Sequence, residues 1–165
     1  MIPGGGTRSR LSTLRLTFAA FAVTSLLVGL VLIVIPAPSE RKSATAFAAL
    51  VAIIGLAGVT LSWRSRSRPL ARINASALAA SYAAQLFVGI AFAQLPAMMG
   101  FVGAFITGSD WVYVMGLAFS LLGYALVAPT DGAIRRGDEQ LVAAGSPYLL
   151  SEALRQPPSL SSPSG

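Results

Sequence analysis

The sequence predicts an all-α, polytopic integral membrane protein with four transmembrane helices arranged as two antiparallel hairpins. Of its 165 residues, 55% are hydrophobic and 11% are charged, whereas a soluble domain carries charge on about a quarter of its residues. The charges are also segregated, because four long apolar tracts contain none of them. These two observations place the chain in the membrane class before any motif is considered.

The first predicted span, residues 16–35, follows a polar cytoplasmic tail of residues 1–15. Its length matches the roughly 20 residues that a spanning helix needs and exceeds the roughly 7–15 apolar residues of a signal peptide. We therefore expect an uncleaved span, with cleavage near Ala44 or Ala46 as the alternative. Pro36 ends this helix, because proline cannot continue an α-helix.

The second predicted span, residues 44–63, ends in Trp63, a side chain suited to the boundary between membrane and water. The densest basic segment of the chain follows it and comprises Arg64, Arg66, Arg68 and Arg72. Such a segment fixes topology by staying in the cytoplasm, which is the simpler interpretation. The alternative is a lipid-facing basic cluster that attracts anionic headgroups.

The third apolar tract, residues 78–107, is the longest, and either Asn74 or Ser76 offers an N-cap before it. As one straight helix it would run roughly 45 Å, against a hydrocarbon core of about 30 Å. We therefore expect it to tilt, to bend at Pro96, or to begin outside the hydrocarbon.

A tight turn at residues 108–110 leads into the fourth predicted span, residues 111–128, which makes the last two spans an antiparallel hairpin. The cytoplasmic C-terminal tail, residues 129–165, follows. Within it, Ser146 and Pro147 have the pattern of an N-cap and a first helical residue. The last ten residues are rich in Pro and Ser, and we expect them to be disordered.

The placement of basic residues predicts the orientation. Two of the twelve basic residues lie in the first outer turn, and the other ten lie on the side of the N-terminus: Arg8, Arg10, Arg15, Arg64, Arg66, Arg68, Arg72, Arg135, Arg136 and Arg155. This asymmetry predicts a multi-pass protein of the plasma (inner) membrane with the N-terminus and C-terminus in the cytoplasm. Because the charges flank apolar tracts, they indicate topology and not nucleic-acid binding. Lys42 is the only lysine, and this preference for Arg favours a bacterial source.

The residue types exclude several chemistries. The chain has no Cys and no His, which excludes thiolate chemistry, Cys/His zinc sites and Ser-His-Asp triads. Its six carboxylates all lie outside the apolar tracts. We therefore expect no enzymatic activity, no cofactor and no metal site.

Small residues recur at spacings of three and four along the spans, which places them on one face of each helix. The strongest candidates for helix packing are Gly55, Gly58, Gly89, Gly100, Gly103, Gly116, Ser120 and Gly123. Such faces let helices approach closely in lipid. We interpret them as the core of the bundle, and the alternative is a surface for a partner or for further copies of the chain.

A candidate intramembrane polar site lies in the third span and comprises Tyr82, Gln85, Gln94 and Pro96. Gln94 is the central residue, because an amide in hydrocarbon must find hydrogen-bond partners. It is either a satisfied packing amide, bound to a neighbouring helix or to a carbonyl freed by Pro96, or a position on a substrate or ion path.

The segment from Gly89 to Phe105 resembles the outer helix of the proteolipid, or c, subunits of rotary ATPases, with Gln94 in a run of Ala and a Gly further on. Those subunits place a carboxylic acid there, and recharging it couples ion flow to rotation. Gln94 departs from that pattern because an amide does not titrate, so the resemblance implies the shape of the hairpin without the activity. The first span departs too, having only Gly29 where proteolipids repeat Gly-x-Gly.

The chain also resembles uncharacterised small four-helix membrane proteins of bacteria, in which we expect an acid-Ala-Pro-Ala run in place of residues 94–97. We interpret the protein as a non-catalytic integral membrane protein that packs with itself or with a membrane partner, in a lipid bilayer. The alternative is a transporter or channel subunit of proteolipid-like shape that lacks a titratable, ion-carrying acid.

Overall fold

A computed structural model of the chain describes residues 9–34, 43–71 and 73–155. The predictions for residues 1–8, for the helix end at Pro36, for Arg72 and for disorder in residues 156–165 lie outside this part of the chain. About 85% of the described residues are helical and none forms a strand. The all-α class is therefore confirmed for them.

In the described part of the chain six helices follow one another, and the first four are long and apolar enough to cross a membrane. They are α1 (Arg10–Val34), α2 (Ala44–Arg66), α3 (Ala75–Thr107), α4 (Asp110–Val127), α5 (Asp131–Ala143) and α6 (Leu150–Arg155).

Polar side chains explain why two helices begin before their apolar tracts do. The Ser9 hydroxyl accepts a hydrogen bond from the Ser12 amide at 3.3 Å, so α1 begins six residues before its apolar tract. Asn74 Oδ1 accepts from the Ala77 amide at 2.7 Å and caps α3. Of the two caps considered for α3, Asn74 is therefore the one that bonds the helix backbone.

The chain divides into two compact units. The first, here called the terminal unit, comprises the described parts of Met1–Thr17, Leu70–Ala83 and Pro129–Gly165. The second, here called the bundle unit, comprises the described parts of Phe18–Pro69 and Ala84–Ala128. Helices α1 and α3 contribute residues to both units.

The terminal unit holds together through contacts between segments that are distant in sequence. Arg15 forms an ion pair with Asp131 at 2.5 Å, and its Nε donates to the Pro129 carbonyl at 3.2 Å. Asp138 on α5 accepts from the amides of Leu150 and Ser151, at 2.6 and 3.1 Å. A carboxylate of α5 thus satisfies the free amides at the start of α6.

The expected N-cap at Ser146 is wrong. Helix α6 begins at Leu150, and the Ser146 hydroxyl instead accepts from the Tyr148 amide at 3.3 Å in the turn that precedes the helix. The carboxylate of Asp138 takes over the capping role, because its tertiary position brings it to the helix start.

In the bundle unit, apolar and polar side chains are distributed in the opposite way to a soluble protein. Large apolar side chains are exposed on all four long helices, among them Leu26, Leu30, Ile53, Leu56, Phe87, Leu95, Val114 and Leu122. The buried polar residues include Ser25, Ser62, Ser65, Thr107 and Ser120. Each of these five hydroxyls has a hydrogen-bond partner inside the unit. In water such a surface would be unfavourable, whereas in lipid it is the expected arrangement.

Helix α3 runs through Pro96 without interruption. Proline has no amide hydrogen, so the Phe92 carbonyl loses the donor that it would meet in a regular helix. The next amide, that of Ala97, donates to the Ser120 hydroxyl of α4 at 2.8 Å. The region around Pro96 is therefore supported by a neighbouring helix.

Candidate functional site

Gln94 lies at the centre of a polar cluster that joins three helices of the bundle unit. Its Oε1 accepts from the Ser25 hydroxyl of α1 at 2.7 Å and from the Tyr124 hydroxyl of α4. Ser25 is fully buried and Tyr124 almost so, while Gln94 is half-buried. One acceptor on α3 thus binds donors from both α1 and α4.

Two further groups extend the cluster. The Tyr113 hydroxyl donates to the backbone carbonyl of Ser25, and the Ser25 and Tyr124 hydroxyls lie 3.3 Å apart. Gly29 makes room for Tyr113, because a Cβ at Gly29 would lie 2.6 Å from the tyrosine ring. We call the four residues Ser25, Gln94, Tyr113 and Tyr124 the polar cluster.

The aromatic ring of Tyr124 is itself held in place. It packs edge-on against Phe18 of α1, with ring centroids 5.7 Å apart and planes at 90°. Tyr113 and Tyr124 are separated by three helical turns, so both side chains project from the same face of α4. The sequence contains that spacing, but only the packing shows that this face meets α1.

The composition of the polar cluster limits its chemistry. It contains one amide and three hydroxyls, without a carboxylate, an imidazole or an amine that could bind and release a proton in an ion-coupled step. Every buried side-chain N or O among the described residues has a hydrogen-bond partner. The arrangement is suited to fixing helices against one another, since interhelical hydrogen bonds stabilise helix packing in lipid.

The other predicted members of the polar site lie elsewhere. Gln85 donates from Nε2 to the backbone carbonyl of Arg68 at 3.0 Å, which places it beside the segment that follows α2. Pro96 is fully buried among packing residues, 3.2 Å from where a Cβ at Gly58 would lie. Tyr82 is half-buried and belongs to the terminal unit.

All eight residues predicted to mediate helix packing are buried, and their contacts lie within the bundle unit. A Cβ at Gly58 would lie 2.8 Å from the Phe92 carbonyl, and one at Gly100 would lie 3.0 Å from the Val112 carbonyl. The remaining glycines of the set meet side chains or backbone just as closely: Gly55, Gly89, Gly103, Gly116 and Gly123. These small-residue faces are therefore occupied by contacts within one chain.

The basic segment after α2 is exposed. Arg66 donates to the carbonyl of Leu126, in the last turn of α4, where backbone carbonyls lack helical donors. Arg64 and Arg68 are exposed on either side of it. Arg72, the fourth member of the predicted cluster, lies outside the described residues.

Comparison with protein-family models, with curated proteins and with solved structures finds no match. The similarity to proteolipid subunits and to small four-helix bacterial membrane proteins therefore stays a prediction. Among the described residues, no group of three or more His, Cys, Asp or Glu side chains is placed to hold a metal ion.

Proposed function

We propose that the protein is a non-catalytic, multi-pass component of a bacterial plasma membrane, which presents a pre-packed bundle of four helices to further copies of itself or to a membrane partner. Its four long helices cross the bilayer as two antiparallel hairpins, with both termini in the cytoplasm.

The observation that carries this proposal is the distribution of side chains in the bundle unit. Large apolar side chains are exposed on every long helix, while hydroxyls such as those of Ser62, Thr107 and Ser120 are buried and hydrogen-bonded. Exposed apolar area in water is unfavourable by about 25 cal/mol per Å², so this surface is suited to a lipid environment.

The charges at the two ends of α4 support the orientation. Asp110 begins the helix, and the Arg66 guanidinium binds a carbonyl in its last turn. At 1.5 Å per residue the two ends are roughly 27 Å apart, about the thickness of the hydrocarbon core. Arg64, Arg66 and Arg68 at one end then mark the cytoplasmic side by the positive-inside rule.

The division of α3 between the two units supports one explanation of its excess length, namely that the helix begins outside the hydrocarbon. Residues 84–107 belong to the bundle unit and span about 36 Å. Residues 75–83 belong to the terminal unit, together with the charged helix α5. The third span then begins outside the hydrocarbon, which removes the need for an extreme tilt.

Native mass spectrometry of the full chain, extracted from its own membrane in mild detergent, tests the assembly role. We expect a complex that holds either several copies of the chain or one copy with a second membrane protein. A bare monomer at every detergent concentration above micelle formation would contradict the proposal.

A transporter or channel subunit is the second candidate. The position of Gln94 favours it, because this amide lies in the uncharged tract of α3 within a polar cluster that joins three helices. Under this hypothesis Gln94→Leu abolishes the flux of the transported substrate or ion across proteoliposome membranes, while the helical content is unchanged. Under the assembly hypothesis the same change alters stability. A flux that survives Gln94→Leu removes the transporter candidate.

A further inference from the structure

The C-terminal end of α2 carries an aromatic side chain and two arginines whose side chains the bundle unit does not use. Trp63 is 62% exposed, and Arg64 and Arg68 are exposed as well. No carboxylate among the described residues pairs with either arginine. Two exposed arginines therefore follow an exposed indole within five residues of the chain.

The backbone of this segment is fixed although its side chains are exposed. The Ser67 amide donates to the Arg64 carbonyl at 3.1 Å and ends the helix, while Gln85 binds the Arg68 carbonyl at 3.0 Å. Arg66, between the two exposed arginines, binds the carbonyl of Leu126. The chain thus holds the positions from which Arg64 and Arg68 extend, which lowers the ordering cost of binding.

Within the bundle unit, no acidic residue of the described part lies at the end that carries Arg64 and Arg68. The described part of the bundle unit has one acidic residue, Asp110. Asp110 begins α4, whereas Arg66 binds a carbonyl at the opposite end of that helix. The arginine end of the unit is therefore strongly positive, and at roughly 27 Å the carboxylate lies beyond the Debye length of physiological salt.

We propose that Trp63, Arg64 and Arg68 form a binding site for the headgroup of an anionic phospholipid. An exposed tryptophan at a helix end lies at the level of the lipid headgroups. Arginines directly after it then meet the phosphate layer, where a guanidinium binds phosphate oxygens with two parallel hydrogen bonds. The site goes beyond topogenesis, because it selects one class of lipid over another.

The two tryptophans of the chain provide the test. Trp111→Phe leaves Trp63 as the only tryptophan, and its fluorescence is quenched by brominated lipid in direct contact. The full chain is reconstituted in vesicles of equal parts phosphatidylglycerol and phosphatidylcholine, with bromine on one lipid and then on the other. We expect phosphatidylglycerol to quench Trp63 more strongly than phosphatidylcholine does.

Arg64→Gln with Arg68→Gln should weaken the preference by about fivefold for each arginine removed. Arg135→Gln with Arg136→Gln lowers the net charge by the same amount. This control pair should leave the lipid preference of Trp63 unchanged. Both arginines of the site are exposed and Gln85 binds only backbone at Arg68, so the fold should persist. If the double variant cannot be reconstituted, Arg68→Gln alone replaces it.

Trp63→Phe leaves Trp111 as the only tryptophan, and this reporter should show no preference. The inference is overturned if Trp63 shows equal quenching by both lipids. It is also overturned if the preference survives loss of Arg64 and Arg68, or falls equally with loss of Arg135 and Arg136, because binding would then follow net charge alone.

Discussion

Replacing Gln94 by leucine removes the acceptor that Ser25 and Tyr124 share, while the side-chain volume stays nearly the same. The two hydrogen bonds that end at Oε1 are then lost. Ser25 retains the Phe21 carbonyl as an acceptor at 3.2 Å. The Tyr124 hydroxyl is left with longer contacts, 3.3 Å to the Ser25 hydroxyl and 3.5 Å to the Phe21 carbonyl. The loss therefore falls mainly on Tyr124.

Interhelical hydrogen bonds in membrane proteins contribute about 0.6 kcal/mol on average and about 1.7 kcal/mol at most. With both bonds replaced only by longer ones, Gln94→Leu should lower the free energy of unfolding by about 1–2 kcal/mol. Unfolding of the purified protein, titrated from mild detergent into a denaturing one and followed by circular dichroism, measures this difference.

A double-mutant cycle separates the hydrogen bond from other effects of the change. Gln94→Leu and Tyr124→Phe should together cost less than the sum of the two single changes, because both remove the same bond. Thr24→Val is the matched control, since its exposed hydroxyl binds only the Ala20 carbonyl of its own helix. Additive costs, or an unchanged unfolding free energy in Gln94→Leu, would refute the assignment of the polar cluster to helix packing.

Two further predictions test the packing and the capping. Gly58→Ala would place a Cβ 2.8 Å from the Phe92 carbonyl. In the same titration this change should destabilise the protein by about 1–3 kcal/mol. The control Gly132→Ala, whose Cβ would meet nothing within 4 Å, should be neutral or stabilising. Asp138→Ala removes both hydrogen bonds to the start of α6. A capping loss of about 1 kcal/mol should speed hydrogen exchange of the α6 amides about fivefold. The control Glu139→Ala, at an exposed neighbouring position, should leave these exchange rates unchanged. Equal effects of either change and its control would contradict these assignments.

The helical class and the number of long apolar helices could be predicted from the sequence, because segregation of charge is a property of the chain itself. The helix ends were less predictable. Asn74 is one of the two caps that the sequence predicts for α3, and its bond to the Ala77 amide confirms it. Ser9, which extends α1 beyond its apolar tract, was not identified because hydropathy alone contains no information on capping.

The polar cluster could be predicted only in part. Gln94 was identifiable because an amide in a long apolar tract requires partners. The two alternatives for those partners, a neighbouring helix or a carbonyl freed by Pro96, could not be separated from one sequence. The structure favours the neighbouring helix, since Ser25 and Tyr124 supply the donors. Which hydroxyls face an amide depends on the rotation of three helices, and periodicity does not fix it.

The cap of α6 shows the same limit. Ser146 and Pro147 have the local pattern of a helix start, yet Asp138, twelve residues before Leu150, supplies the bond. A tertiary contact between α5 and α6 overrides the local preference, and a pattern of adjacent residues cannot report such a contact.

Labelling of single cysteines in intact bacterial spheroplasts with a membrane-impermeant maleimide tests the central claim most directly, because the chain has no cysteine of its own. The account predicts that Ser109→Cys reacts from outside and that Ser67→Cys reacts only after permeabilisation. Leu122→Cys, although exposed on the bundle unit, should react in neither case because lipid covers it. Reaction of Leu122→Cys at the rate of Ser109→Cys, or of Ser67→Cys from outside, would contradict a four-span protein with both termini in the cytoplasm.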